Sequence, residues 1–235
     1  MPFGVETYAN TRRMEKSLRL QNADLLTEYN LLEADLADAA NLMLAELGRP
    51  ARTQAEIHSF VGKGIPNLVR RCMTEATHAT ESEIDAAVAV FRRHYAAVNG
   101  VRTTIYPGVV ETLQTLRARD IRLAVVTNKA EAFTLPLLER MAIAHYFDAV
   151  VSGDTLPVKK PNPAAIHACL KDYGVPAARA LFVGDSSIDV ATARNGGIAV
   201  WALPYGYNMG EPIEACSPDR VIADVSALLD TAVVD

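Results

Sequence analysis

The chain has 235 residues, half of them hydrophobic, which allows one large domain or one domain with a smaller insert. Its net charge of −5, with acids and bases interspersed, argues against a nucleic-acid-binding surface. No apolar run approaches the roughly 20 residues that a membrane span needs, and the first residues carry no apolar signal core. Three widely spaced cysteines, Cys72, Cys169 and Cys216, indicate a reducing compartment rather than a disulfide framework. We therefore expect a cytoplasmic protein without a nucleic-acid or membrane partner.

A long helix is the first predicted element. Neither glycine nor proline occurs between Val5 and Leu47, and Gly48 and Pro50 then supply a helix stop. Apolar side chains in this segment recur with helical rather than alternating spacing. We predict a helix over residues 25–47 that continues back to about residue 12. On this basis residues 1–34 form an atypical N-terminal segment.

The second predicted region, residues 35–103, is a small helical unit. Apolar residues recur at helical spacing in the stretches DLADAANLMLAELG, IPNLVRRCM and EIDAAVAVFRRHYAAV. Because no strand-like alternation interrupts them, we expect this region to contain helices alone.

Strand-like and helix-like segments alternate in the third region, residues 104–235. The five predicted strands occupy residues 121–128, 147–154, 180–185, 197–203 and 219–224. The four predicted helices occupy residues 108–119, 130–141, 163–173 and 187–195. Mostly apolar strands that alternate with helices of this length predict an α/β fold, with a parallel sheet covered by helices on both faces.

Polar residues collect where the predicted strands end. Thr127 and Asn128 close the first strand, Asp185 closes the third, and Lys160 lies on the connection between the second and third strands. In parallel sheets the functional groups lie outside the carboxyl ends of the strands. A hydroxyl, an amide and an ammonium group suit a phosphoryl group, and a carboxylate suits Mg²⁺. The sequence therefore predicts a phosphate and Mg²⁺ site, with Asp189 near Asp185.

Each of these residues also has a purely structural explanation. Thr127 and Asn128 suit a turn, and Lys160 could be an ordinary solvated lysine. Asp185 is of a type favoured as a helix N-cap, and Asp189 would be stabilised in the first turn of the following helix. Their joint occurrence at successive strand ends favours the functional interpretation.

The motifs resemble those of the haloacid dehalogenase-like hydrolases. The stretches LAVVTNK, VKKPNP and FVGDSSIDVATARNGG resemble the second, third and fourth motifs of that family. A closer likeness is to its phosphoglycolate phosphatases, which GDTLPVKKPNPAAIHACL, WALPYGYNMGEPI and FVGKGIPNLVRR resemble. The likeness covers residues 35–230, nearly the whole chain.

The resemblance implies a Rossmann-like core with a helical cap inserted after its first strand, and residues 35–103 match that cap. It implies Mg²⁺ as the cofactor and a small phosphorylated organic acid as the substrate. The implied reaction converts 2-phosphoglycolate to glycolate and phosphate.

The resemblance also implies roles for individual residues. Thr127 and Lys160 would bind phosphate, Asp185 would bind Mg²⁺, and Asp189 would support the site. Lys63, in the stretch VGKG, falls where the cap faces the site and could touch the substrate carboxylate. The alternative for Lys63 is a solvated loop lysine.

The first family motif, D-x-D-G-T, is missing from the sequence. In the family its first aspartate attacks phosphorus, and its second transfers protons. An ungapped alignment places the nucleophile position on Asp24, the second acid on Leu26 and the turn glycine on Thr27. The preceding stretch SLRLQN is too polar for a strand buried on both faces. Asp24 is thus the candidate nucleophile, either at the end of a distorted strand or within the predicted helix.

The sequence leaves two interpretations open. The first is a Mg²⁺-dependent phosphomonoesterase, which the second, third and fourth motifs favour. The second is a catalytically impaired or inactive member of the fold that binds phosphate or Mg²⁺ weakly and forms homo-oligomers through its N-terminal helix. The missing D-x-D-G-T motif favours this second interpretation, whether it arose from a frame error, natural loss or deliberate remodelling.

Overall fold

Four helices come first along the part of the chain that the structure describes. The computed structural model describes residues 34–61, 64–74, 79–205, 208 and 211–230. Its first four helices are α1 (34–46), α2 (Gln54–Phe60), α3 (Ile65–Thr74) and α4 (Glu81–Val98). Helix α1 agrees with the part of the predicted N-terminal helix that falls on residues 34–46. The rest of that prediction lies outside the described residues.

Local sequence signals account for where two of these helices begin. Thr53 before α2 and Thr80 before α4 each accept a hydrogen bond from the backbone N–H of a glutamate three residues on. Each glutamate carboxylate in turn accepts a hydrogen bond from the threonine backbone. Thr53 N donates to Glu56 Oε2 at 2.7 Å, and Thr80 N donates to Glu83 Oε2 at 2.7 Å. These capping boxes satisfy backbone donors that a helix start leaves unpaired.

Helices α1–α4, here called the helical unit, share one hydrophobic cluster. Its fully buried side chains include Met43 and Leu44 of α1, Ile57 of α2 and Phe91 of α4. Phe133, which lies beyond the helical unit in sequence, belongs to the same cluster and is 5% exposed. The helical unit is therefore packed against the part of the chain that follows it.

Helices and strands alternate after the helical unit. In chain order they are α5 (Val109–Ala118), β1 (Ala124–Val126), α6 (Glu131–Arg140), β2 (Ala149–Val151), α7 (Ala164–Tyr173), β3 (Leu181–Gly184), α8 (Ser187–Gly196), β4 (Ala199–Ala202) and β5 (Arg220–Val221). Each of the five predicted strands and four predicted helices is present at its predicted place. The strands are shorter than predicted.

All the strand pairs among the described residues are parallel, which confirms the predicted α/β class. Strand β1 pairs with β2 in the register Val125↔Val150. Strand β3 pairs with β4 in the register Phe182↔Val200, and β4 pairs with β5. Within the described residues the strands form two sheets, of order β1-β2 and β3-β4-β5.

A second hydrophobic cluster holds α7 and α8 against the second sheet. It contains the buried side chains of Ile166 from α7, Val190 from α8 and Val200 from β4. This packing fixes the start of α8 at the carboxyl end of β3. As for membrane crossing, none of the helices in the described ranges has both the length and the apolar composition required.

Candidate active site

Thr127 continues the pairing of β1 with β2 and then turns the chain. Its backbone N–H donates to Val151 O at 3.0 Å, and its hydroxyl oxygen accepts a hydrogen bond from the backbone N–H of Lys129 at 3.1 Å. No described residue accepts the hydroxyl proton of Thr127. This proton is therefore available to an oxygen of a bound ligand.

Asn128 holds the backbone of Lys160, which is 32 residues further along the chain. Lys160 N donates to Asn128 Oδ1 at 2.9 Å, and Asn128 Nδ2 donates to Lys160 O at 3.1 Å. Gly153 lies directly against this turn, because a Cβ there would sit 2.1 Å from Asn128 O. The close approach requires glycine at position 153. The amide of Asn128 is thus committed to placing Lys160.

The Lys160 ammonium lies against a buried carboxylate at the start of α8. Lys160 Nζ is 2.6 Å from Asp189 Oδ1, and the Lys160 side chain is 14% exposed. The same nitrogen is 5.7 Å from the ring centroid of Phe182 in β3. The ends of β1 and β3 are therefore linked through one lysine, held at its backbone by Asn128 and at its ammonium by Asp189.

Asp189 also organises the turn between β3 and α8. Its Oδ2 accepts hydrogen bonds from Asp185 N at 3.1 Å, from Ser186 N at 3.2 Å and from Ser186 Oγ at 2.7 Å. A Cβ at Gly184 would sit 2.3 Å from Asp189 Cβ, so this approach also requires glycine. The N-cap of α8 is Ser186. Helix capping, an alternative explanation for Asp185, is therefore wrong.

The two aspartates at this turn are in different electrostatic states. Burial, followed by the negative charge of Asp189, raises the pKa of Asp185 to about 6. Burial also acts to raise the pKa of Asp189, but the charge and hydrogen bond of Lys160 outweigh it and hold that pKa below its usual value. The negative charge of Asp189 is thus balanced by Lys160, whereas the negative charge of Asp185 is only partly offset.

The surroundings of Asp185 suit a divalent cation. A cation there would relieve both the burial of the Asp185 charge and its repulsion from Asp189. Mg²⁺ is commonly held by one or two carboxylates together with waters and substrate oxygens. The described ranges contain no group of three or more histidine, cysteine, aspartate or glutamate side chains that could together hold a metal ion, so waters and substrate oxygens would have to complete the shell. Asp185 therefore fits Mg²⁺ as a carboxylate ligand, with Asp189 committed to Lys160.

The structure brings five of the residues predicted from the sequence into one neighbourhood, namely Thr127, Asn128, Lys160, Asp185 and Asp189. Asp24 and Lys63 lie outside the described residues. Ser186 is a further residue of this neighbourhood that was not predicted from the sequence. The spacing of Ser186 and Asp189, three residues apart at a helix start, is a recognisable capping signal.

Comparison with known proteins agrees with this fold. The sequence profile of the haloacid dehalogenase-like hydrolases matches residues 33–203. A phosphoglycolate phosphatase of Pseudomonas savastanoi pv. phaseolicola is 45% identical over 200 residues, which cover 83% of this chain and 72% of that protein. One from Thiobacillus denitrificans is 40% identical over 195 residues, which cover 82% of this chain and 86% of that protein. The chain belongs to the haloacid dehalogenase-like hydrolase family, as its motifs predicted.

The fold likeness extends to a solved structure. The crystal structure of a predicted phosphoglycolate phosphatase from Haemophilus somnus 129PT matches with a TM-score of 0.79 at 32% sequence identity. The match covers 85% of this chain and 91% of that one.

Proposed function

We propose that this protein is a Mg²⁺-dependent phosphomonoesterase of the phosphoglycolate phosphatase type, which converts 2-phosphoglycolate to glycolate and phosphate. The observation that carries the proposal is the hydrogen-bonded chain from Asn128 through Lys160 to Asp189, which joins the ends of β1 and β3. The names of the relatives from Pseudomonas savastanoi and Thiobacillus denitrificans support the choice of substrate.

The residues at the strand ends would make different interactions with a phosphoryl group. The Lys160 ammonium offsets the phosphate charge, and Thr127 donates its hydroxyl proton to a phosphate oxygen. Asn128 and Asp189 act through Lys160, one on its backbone and the other on its ammonium. Because Asp189 is 4% exposed and already paired, it positions Lys160 without itself repelling the substrate.

Asp185 would hold Mg²⁺, with waters and a phosphate oxygen as further ligands. When bound, Mg²⁺ supplies electrostatic stabilisation of the charge that develops on the phosphoryl oxygens. Three cysteines that lie far apart in the chain and form no disulfide among the described residues support a reducing, cytoplasmic setting for this activity.

A second candidate function is a phosphate-binding member of the fold with impaired or no turnover, which associates into homo-oligomers. The specific observation in its favour is the sequence at the position of the first family motif. Leu26 and Thr27 stand there in place of the second acid and the turn glycine. A protein of this kind would retain the Thr127 and Lys160 site while lacking proton transfer to the leaving group.

The first test compares Lys160→Met with the control Lys159→Met, which removes the ammonium of the exposed neighbouring lysine. Both variants are titrated with inorganic phosphate by calorimetry in the presence of Mg²⁺, and both are assayed for hydrolysis of 2-phosphoglycolate. We expect Lys160→Met to bind phosphate roughly 10- to 100-fold more weakly, the size of a lost charge-assisted hydrogen bond. Lys159→Met should bind phosphate like the parent protein.

Thr127→Val provides a second variant that leaves the buried Asp189 with its partner. It should also weaken phosphate binding, with a smaller effect because it removes a neutral hydrogen bond. Equal affinity in the parent protein, Lys160→Met and Thr127→Val would overturn the phosphate site. Phosphate binding without Mg²⁺-dependent hydrolysis would select the second candidate function.

A further inference from the structure

Asp35 joins the start of the helical unit to the segment that leads from that unit into the α/β part. Asp35 lies at the start of α1 and is 1% exposed. Its carboxylate accepts hydrogen bonds from Gly100 N at 2.9 Å, from Arg102 N at 3.0 Å and from Thr103 Oγ1 at 2.7 Å. The beginning of the helical unit is thus held against the segment that leaves it, residues 99–103.

Asn99, the C-cap of α4, connects that segment to the α/β part. It is 4% exposed, and its Nδ2 donates to Phe133 O in α6 at 2.8 Å. Its Oδ1 accepts a hydrogen bond from Lys129 Nζ at 3.0 Å. Lys129 Nζ also lies 5.2 Å from the ring centroid of Tyr95 in α4. The Lys129 ammonium therefore contacts the last turn of α4 and its cap.

The backbone of Lys129 is bound to the candidate active site. Its N–H donates to Thr127 Oγ1 at 3.1 Å, and its carbonyl accepts from Gly153 N at 2.8 Å. Gly153 is the residue that lies against Asn128. One residue thus contacts the helical unit with its side chain and the ends of β1 and β2 with its backbone.

We propose that Lys129 is a positioning residue whose side chain, through its hydrogen bond to Asn99, holds the helical unit to the end of the sheet at Thr127. A displacement of the helical unit is transmitted to Thr127 through Asn99 and Lys129. This role goes beyond the proposed phosphatase function, and its test requires no turnover.

Lys129 loses its positive charge at mildly alkaline pH. Burial lowers the pKa of Lys129 to about 8, while the negative charge of Asp35 acts in the opposite direction. Burial raises the pKa of Tyr95, so that ring stays neutral where Lys129 titrates. Glu131, at the start of α6, is exposed and lies within reach of Thr155. Because the pKa of Lys129 lies below that of a solvated lysine, burying the ammonium costs free energy below pH 8 despite the attraction of Asp35, and the cost falls as the pH rises above 8, while the neutral amine can still donate to Asn99 Oδ1.

Hydrogen exchange measured residue by residue tests the proposal. The reporting amides are those of Gly100 and Arg102, which donate to Asp35. The reference amides are those of Thr112 and Arg119 in and after α5, which bond within the α5 region. After correction for intrinsic exchange rates, we expect the protection of Gly100 and Arg102 relative to the references to rise roughly tenfold between pH 7 and pH 9, because opening the contact returns Lys129 to water and takes up a proton.

Three variants separate the ammonium from general packing. Lys129→Met should show no change of relative protection with pH, and lower protection than the parent protein at pH 9, because it cannot donate to Asn99 Oδ1. Lys129→Arg, whose charge persists above pH 9, should lack the rise in protection between pH 7 and pH 9. Lys171→Met, which removes an exposed lysine of α7, should follow the parent protein.

The proposal is overturned if Gly100 and Arg102 keep their relative protection from pH 7 to pH 9 in the parent protein. It is equally overturned if Lys129→Arg gains protection with the same pH profile as the parent. Circular dichroism melts establish that each variant folds. If Lys129→Met does not fold, the comparison of the parent protein with Lys129→Arg still decides between the outcomes.

Discussion

The carboxylate of Asp185 is half-buried beside a second carboxylate, and its ionised form lowers the stability of the metal-free protein. Burial and then the charge of Asp189 raise its pKa to about 6 from a reference value of 3.8. The native state therefore binds a proton more tightly than the unfolded chain, and stability is lost as the pH rises from about 4 to 6. Above about pH 6 Asp185 is ionised in the native state, and its charge destabilises the protein to the full extent.

The first prediction is that Asp185→Asn stabilises the metal-free protein at pH 7. The neutral amide removes the unfavourable charge with little change of shape, so the free energy of unfolding should rise by about 1–3 kcal/mol. The gain should disappear near pH 4, where Asp185 is protonated in the native state. Urea unfolding in EDTA at pH 7 and at pH 4 measures both values.

Adding Mg²⁺ should change the relative stability of Asp185→Asn and the parent protein, because a ligand that binds only the native state stabilises that state. The parent protein and the control Asp172→Asn, an exposed acid of α7, should gain stability as Mg²⁺ is added. Asp185→Asn should not. An equal gain in all three proteins would show that Asp185 does not hold the metal.

At the residue scale, the sequence predicted those residues of the candidate site that combine suitable side-chain chemistry with a position at the end of a strand. Thr127, Lys160 and Asp185 could be predicted because strand ends in parallel sheets gather functional groups. The contacts of Asp35 and Lys129 could not be predicted. They depend on how α1, α4 and the turn after β1 pack together, and no local pattern records that packing.

The elements themselves follow from hydrophobic periodicity, but their ends follow from side-chain hydrogen bonds. The strand predicted over residues 121–128 is observed only over Ala124–Val126. At its start Leu123 N donates to the side chain of Asp148 at 2.9 Å instead of extending the strand ladder. At its end Thr127 still pairs with Val151, and the chain then turns toward Lys129. Such side-chain competition shortens strands in a way that apolar patterning does not register.

Helix α8 is the element on which the candidate site depends most directly. Its capping box combines Ser186 and Asp189, and the same Asp189 carboxylate holds Lys160. Replacing the cap therefore changes both the stability of the helix and the placement of the ammonium.

The prediction for this element is that Ser186→Ala lowers the free energy of unfolding by about 1 kcal/mol, the usual cost of losing an N-cap side chain. It should also weaken phosphate binding, because Asp189 Oδ2 loses its hydroxyl donor. The control is Ser187→Ala, an exposed neighbour whose backbone N–H, not its hydroxyl, bonds to Asn208. A loss of stability without any change in phosphate binding would separate the helix cap from the site.

On the scale of the whole molecule, Lys160 spans two sheets that are separate within the described residues. Strands β1 and β3 are each paired on one side only there. Leu181 at the start of β3 is 41% exposed, an unusual environment for a leucine in a parallel strand. Unpaired strand edges are prone to pair with further chain.

The last prediction is that this chain hydrolyses 2-phosphoglycolate far more slowly than family members that carry D-x-D-G-T. Aspartyl-phosphate chemistry needs a nucleophile, and it needs a positioned acid/base that contributes typically 10²–10⁴-fold. Asp24 is the candidate for the first role, while Leu26, at the second position, has no proton to transfer. An intact relative assayed beside this chain, at the same Mg²⁺ concentration, measures the deficit. Turnover near the enzyme median of about 10 s⁻¹ that is abolished by Asp24→Asn would contradict the prediction and identify Asp24 as a working nucleophile. Slow Mg²⁺-dependent turnover, with phosphate binding retained, is the expected result, whereas absent turnover would select the second candidate function.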